Sequence, residues 1–108
     1  MAQDFRRFTS NNVGTSVVTV HTSNSYDTLI GISLSNVTSS AITVDCYIND
    51  GSNDIYLVKD APIPTGSALQ VLDGGAKVVV QSGDAIKVKS DTASSLDVYV
   101  SAVDAISS

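Results

Sequence analysis

From position 13 onward the chain breaks into short runs in which apolar and polar residues take turns. TSVVTVH (15–21) is the first. In LIGISLS (29–35), Ile30, Ile32 and Leu34 share one face and Gly31, Ser33 and Ser35 the other. AITVDCYIN (41–49) puts Ile42, Val44, Cys46 and Ile48 inward and Thr43, Asp45 and Tyr47 outward. DIYLVK (54–59) is apolar on both sides, as expected of a strand covered on both faces or lying at a contact. SALQVL (67–72) and KVVVQ (77–81) follow. DAIKVKS (84–90) turns Ile86 and Val88 in and Lys87 and Lys89 out, and SLDVYVSAV (95–103) turns Leu96, Val98 and Val100 in. A period of two is the signature of a half-buried strand. No window has the 3.6-residue period of a helix.

Gly, Asp and Ser collect between these runs, in NDGSND (49–54), DGG (73–75), SGD (82–84) and DTASS (91–95). LDGGAK and QSGDA are short enough to be hairpin connections. About eight short strands with regular turn signals predict an all-β chain, an antiparallel β-sandwich of jelly-roll type. We expect one domain over 13–108 and, before it, an arm over 1–12, where MAQDFRRFTSNN does not alternate.

Both prolines, Pro62 and Pro64, fall in VKDAPIPTGSALQV (58–71). Proline fixes φ and donates no hydrogen bond, so it does not belong inside a central ladder. With Gly66 the pair predicts a stiff crossing from one sheet to the other. Ala61, Pro62, Ile63 and Pro64 are also candidates for a docking corner.

Composition agrees with the strands. The chain has 15 Val, 8 Ile, 9 Thr and 17 Ser, and all 11 acids are Asp. Val, Ile and Thr suit a pleated surface, and a helical surface would normally draw on Glu. The net charge of −5 disfavours a broad basic face for nucleic acid. The start lacks an apolar segment of the secretory kind, and no apolar run approaches the roughly 18 residues of a membrane span. We therefore expect synthesis in a cytoplasm, no membrane and no nucleic acid partner.

Candidate chemistry is sparse. One His, His21, and no G-x-S-x-G turn argue against a hydrolase. One His and one Cys are too few for a zinc site of the usual kind. The oxygen-rich loop 49–54 reads either as a hairpin turn or as a cation loop lacking an EF-hand tail. Asn36, Val37 and Thr38 form a glycosylation sequon by pattern, without a secretory route to use it. Cys46 takes an inward slot as a small hydrophobe. Neither catalytic residue, metal site nor cofactor is expected. Phe5, Arg6, Arg7 and Phe8 set two aromatics around two cations. Either Phe8 packs under the sandwich edge or the segment is ordered by a partner, which the arginines would favour if it were acidic.

FRRFTSNNVGT, VKDAPIPTGSALQV and KVVVQSGDAIKVKSDTAS resemble small virion structural proteins of tailed bacteriophages, especially of marine cyanophages. The likeness runs over most of the chain; Cys46 and loop 49–54 depart from it. It implies a compact β-sandwich without catalytic residues, resident in the virion and assembled in the host cytoplasm. The expected role is capsid decoration (cement), bridging subunits of the major capsid protein or other virion proteins as a homo-oligomer. The rivals are a neck, tail or fibre component, and a carbohydrate-binding module with Tyr26, Tyr47, Tyr56 and Tyr99 as its available aromatics, of which Tyr47 and Tyr99 are expected outward.

Overall fold

The computed structural model describes residues 3–23 and 26–105. Eight strands follow in chain order: β1 (Gln3–Val13), β2 (Val18–Thr22), β3 (Tyr26–Asn36), β4 (Ile42–Asn49), β5 (Asp54–Ile63), β6 (Ala68–Val80), β7 (Ala85–Ser90) and β8 (Leu96–Ala105). They form two four-stranded antiparallel sheets, ordered β1-β8-β3-β6 and β2-β7-β4-β5. This is the eight-stranded jelly roll. The chain changes sheet at every connection except β4 to β5. No helix among the described residues is long and apolar enough to cross a membrane.

Inward-facing residues of both sheets meet in one core. Leu29, Ile32, Leu34, Ile42, Val44, Cys46, Ile63, Ile86, Val88, Leu96, Val98 and Val100 are all buried. The alternation on β4, β7 and β8 therefore reads as expected. On β3 it slips: Leu29 takes the core position and Ile30 is half-buried, because the register shifts between Leu29 and Gly31. One inserted residue moves everything before it to the other face.

The number of strands matches the sequence reading through two errors that cancel. The segment expected as an arm is, in its described part, β1, an edge strand paired with β8 from Gln3↔Ala105 to Ser10↔Val98. Its periodicity is hidden because Phe5 faces out, while Arg6 and Ser10 share the inward phase of Phe8. Conversely, the two strands expected at 67–72 and 77–81 are one strand, β6. Both halves pair with β3 in the same direction, as Leu72↔Ile32 and Val78↔Leu29 show. Asp73 and the glycines after it belong to an interruption in that strand and not to a hairpin. The other supposed hairpin, at 81–84, carries the chain from β6 in one sheet to β7 in the other. There Asp84 Oδ2 accepts the Gln81 amide at 2.8 Å, and Gly83 takes a φ of 93° that disfavours any side chain. Turn residues say that the chain bends; they do not say which sheet receives it.

The proline segment does cross between sheets, from β5 to β6. Pro62 lies within β5 opposite Thr43 and is tolerated because β5 is an edge strand. A buried amide ties this corner down. Asn36 Nδ2 donates to the carbonyls of Ser40 (2.8 Å) and Ile63 (3.0 Å), and its Oδ1 accepts from the Thr38 amide and hydroxyl. The sequon residues are thus a structural cross-brace, with Asn36 only 3% exposed.

Candidate functional site

His21 Nε2 lies 3.1 Å from Asp27 Oδ2, and Ser23 Oγ donates to the same oxygen at 3.0 Å. The three residue types are those of a hydrolytic triad, but the order is wrong. A nucleophile must be held by the base, and here serine and histidine both hold the acid. Asp27 and Ser23 are almost fully buried, while the Phe8 ring stacks on His21 at 3.6 Å and 10°. The trio, with Phe8, ties β1 and β2 to β3 across one end of the sandwich. Phe8 therefore packs under the edge, as one of its two readings held.

Loop 49–54 spends its oxygens on its own backbone. Asp50 Oδ1 accepts from the amides of Ser52 (3.0 Å) and Asn53 (2.8 Å), and Asn49 Oδ1 from that of Gly51 (2.9 Å). The Asn53 and Ser52 amides hold the Asp50 carboxyl below its ordinary range. The loop is the hairpin between β4 and β5. Among the described residues, no group of three or more His, Cys or Asp side chains is placed to hold a metal ion. Cys46 is buried, and burial pushes its thiol up to about 12.

Two surfaces remain. The first lies on the outer face of the β1-β8-β3-β6 sheet. Phe5, Val103, Thr28 and Val79 are register partners on four successive strands, so they form one row about 14 Å long. Phe5 is 80% exposed and Val79 62%. Tyr26, also exposed, is two residues before Thr28 on the same face. Two rows further on, Thr9, Tyr99, Ser33 and Gln70 line up without a charge. The opposite outer face differs: Asp45 pairs in register with Lys89, and Lys87 with Tyr47.

The second surface is the 60–66 corner. Pro62 and Pro64 are exposed and Ala61 is half-buried, but Ile63 is a core residue at 1% exposure. Ile63 is therefore removed from the candidate contacts. The phase of an edge strand turns it inward, against Ile42. Arg6 and Arg7 are both exposed; Arg7 shares the outer face with Phe5. The two surfaces do not form one site. β1 lies beside β2, and β5 beside β6, so Phe5 and the corner belong to opposite margins of the sandwich. They also sit toward opposite ends. β3 runs eight residues from Thr28, level with Phe5, to Asn36 beside the corner, on the order of 27 Å.

The tyrosines named for a glycan platform are on opposite faces of the molecule. Tyr99 is half exposed on the β8 outer face. Tyr47 points outward from β4 yet is 6% exposed, covered by Tyr56 with ring centroids 4.8 Å apart. Burial, then Asp54, Tyr56 and Asp45, push its phenol upward. Sequence reasoning missed Val103, Thr28 and Val79, because a cross-sheet row needs the register of four strands. The one available signal was the unbroken run Val78, Val79, Val80, which must turn a valine to solvent if the strand faces water.

No protein-family model matches the chain, and no curated protein matches it. Solved structures that resemble it include two of a pentameric capsid protein isolated from metagenomic phage sequences. One, at 15% identity and a TM-score of 0.47, covers 92% of this chain and 59% of its own. The other, at 16% identity and a TM-score of 0.43, has the same coverage. The chain thus spans about three-fifths of the length of these neighbours.

Proposed function

We propose that the protein is a non-enzymatic structural component of a tailed-phage virion, attached to the head as a decoration (cement) protein. It binds the major capsid protein, or another virion protein, and bridges neighbouring subunits as part of a homo-oligomer. The observation that carries this reading is the placement of two exposed surfaces at diagonally opposite margins of a compact sandwich. A single-sided binder needs one such surface; a bridge needs two. Phe5, Arg6 and Arg7 supply one contact, and Ala61, Pro62 and Pro64 the other. Phe8 supports the first from beneath. Supporting this, the polar trio in the interior is arranged as a brace. The sequence likeness to virion proteins of tailed phages points the same way.

The test is electron microscopy of purified particles carrying wild-type protein, with averaging. Density repeated over the head shell is expected. A few copies confined to the neck, tail or fibres would replace decoration with the alternative role there, and absence from particles would overturn both. Because residues 3–10 form a strand, deleting them would damage the sheet. Phe5→Ser with Arg7→Ser, and Pro64→Ser separately, are the cleaner probes. Each is expected to lower occupancy on particles at least tenfold while leaving the melting temperature within a few degrees of wild type.

A further inference from the structure

The sandwich has four sheet edges, and they are not alike. An edge strand offers unpaired backbone groups to any extended neighbour, and proteins usually blunt it. β6 is interrupted after Asp73 and shifts register again between Ile32 and Ser33 of its partner. β5 contains Pro62 and two register shifts. β2 has five residues and a shift of its own. β1 alone among the described edges keeps an unbroken ladder over eight consecutive positions, from Gln3 to Ser10. Neither proline nor register shift interrupts that stretch; β2 meets it where Phe8 stacks on His21, and Phe5 stands 80% exposed within it.

We propose that β1 pairs edge to edge with β1 of a second copy of this chain, antiparallel, with Phe5 opposite Phe5 on the two-fold axis. A strand pairing with its own copy is self-complementary by symmetry. Charge narrows the register. Centred on Arg6 or on Arg7, the pairing sets an arginine directly against its own copy, and like charges opposite one another destabilise a ladder. Centred on Phe5, it sets Arg6 opposite Asp4 and Arg7 opposite Gln3 of the second copy. The same register aligns the apolar row. Phe5, Val103, Thr28 and Val79 of one copy run on through Phe5 of the other into its own row, giving one stripe across eight strands. The adjoining row, Arg7, Ser101, Gly31 and Asp73, sets one cation position against one anion position, so two chains of net charge −5 meet there without a surplus of like charge. The inference rests on strand geometry and not on placement in a particle, so the two can fail separately.

The test uses the full chain. In Phe5→Cys the new thiol reacts alone, because Cys46 is buried and its thiol is pushed up to about 12. Mild oxidation is expected to crosslink Phe5→Cys into a dimer at several times the yield of Thr9→Cys. In the Phe5 register the two Thr9 positions lie eight residue steps apart, about 27 Å. Sedimentation equilibrium is expected to show self-association of the wild type, weakened at least tenfold in Phe5→Lys and unchanged in Val79→Lys. Equal crosslinking of the two cysteine variants would overturn the register. Loss of association in Val79→Lys would assign the contact to the sheet face and overturn edge pairing. A wild type that stays monomeric at millimolar concentration would overturn the proposal outright, and would leave particle imaging to judge the virion role.

Discussion

Single side chains hold this sandwich at the places where its connections change sheet. Asn36 is the clearest case: one buried amide makes four hydrogen bonds that join the 36–40 turn to the end of β5. Asn36→Ala strips the Ile63 carbonyl of that donor and is expected to cost about 1–3 kcal/mol in urea unfolding. Asn36→Asp should cost more, since a carboxylate would face the carbonyls of Ser40 and Ile63. His21→Ala is expected to cost a similar 1–3 kcal/mol, because buried Asp27 loses its ring partner and Phe8 its stacking surface. Cys46 gives a direct readout of opening. A thiol reagent at pH 8 should modify it only as fast as the sandwich unfolds, and rapid modification of the folded chain would contradict its burial.

Strands and turns respond differently to acid. Asp50 and Asp91 both have carboxyls held low: Asp50 by the Asn53 and Ser52 amides, Asp91 by the Thr43 amide and the Thr92 hydroxyl. A depressed carboxyl stabilises the folded chain above its ordinary titration near ~4 and loses that contribution as pH falls through the folded value. The urea midpoint is therefore expected to be flat from pH 8 to about 5 and to drop below ~4, with Asp50→Asn and Asp91→Asn each making the drop shallower. Asn retains an acceptor oxygen and does not titrate. At this scale the sequence was legible wherever a strand is half-buried and regular, as in β4, β7 and β8. It misled where a strand departs from alternation. The edge strand β1 turns Phe5 outward and gives an exposed arginine, Arg6, the inward phase, and β6 is broken by Asp73 and two glycines that look like a turn. Both errors have one cause. Period and turn chemistry are local, whereas pairing is decided by partners far along the chain, as in Arg6 with Ala102 and Ile32 with Leu72. Among the candidate contacts, Phe5 and Pro64 are exposed, while Ile63 could be placed only by its packing.

At the scale of the molecule, the outer face of the β1-β8-β3-β6 sheet has two uncharged rows, through Phe5 and through Thr9, on either side of a row holding Arg7 and Asp73, whereas the other outer face carries Asp45, Lys87 and Lys89. Tyr47 and Tyr99 are separated by the whole thickness of the sandwich. Glycan binding by a Tyr47 and Tyr99 platform would require both in one surface, so Tyr99→Ala and Tyr47→Ala should have no effect on any glycan-array signal. Loss of such a signal in both variants would restore that reading. The strand order has another consequence, for synthesis. β1 is made first, and its one neighbour in the sheet, β8, is made last. Until β8 leaves the ribosome, β1 has no partner strand within its own chain, and β3 lacks the neighbour on one side. The segment that reads as a loose arm in the sequence is therefore an arm for most of translation. It becomes a strand when β8 slides in beside it.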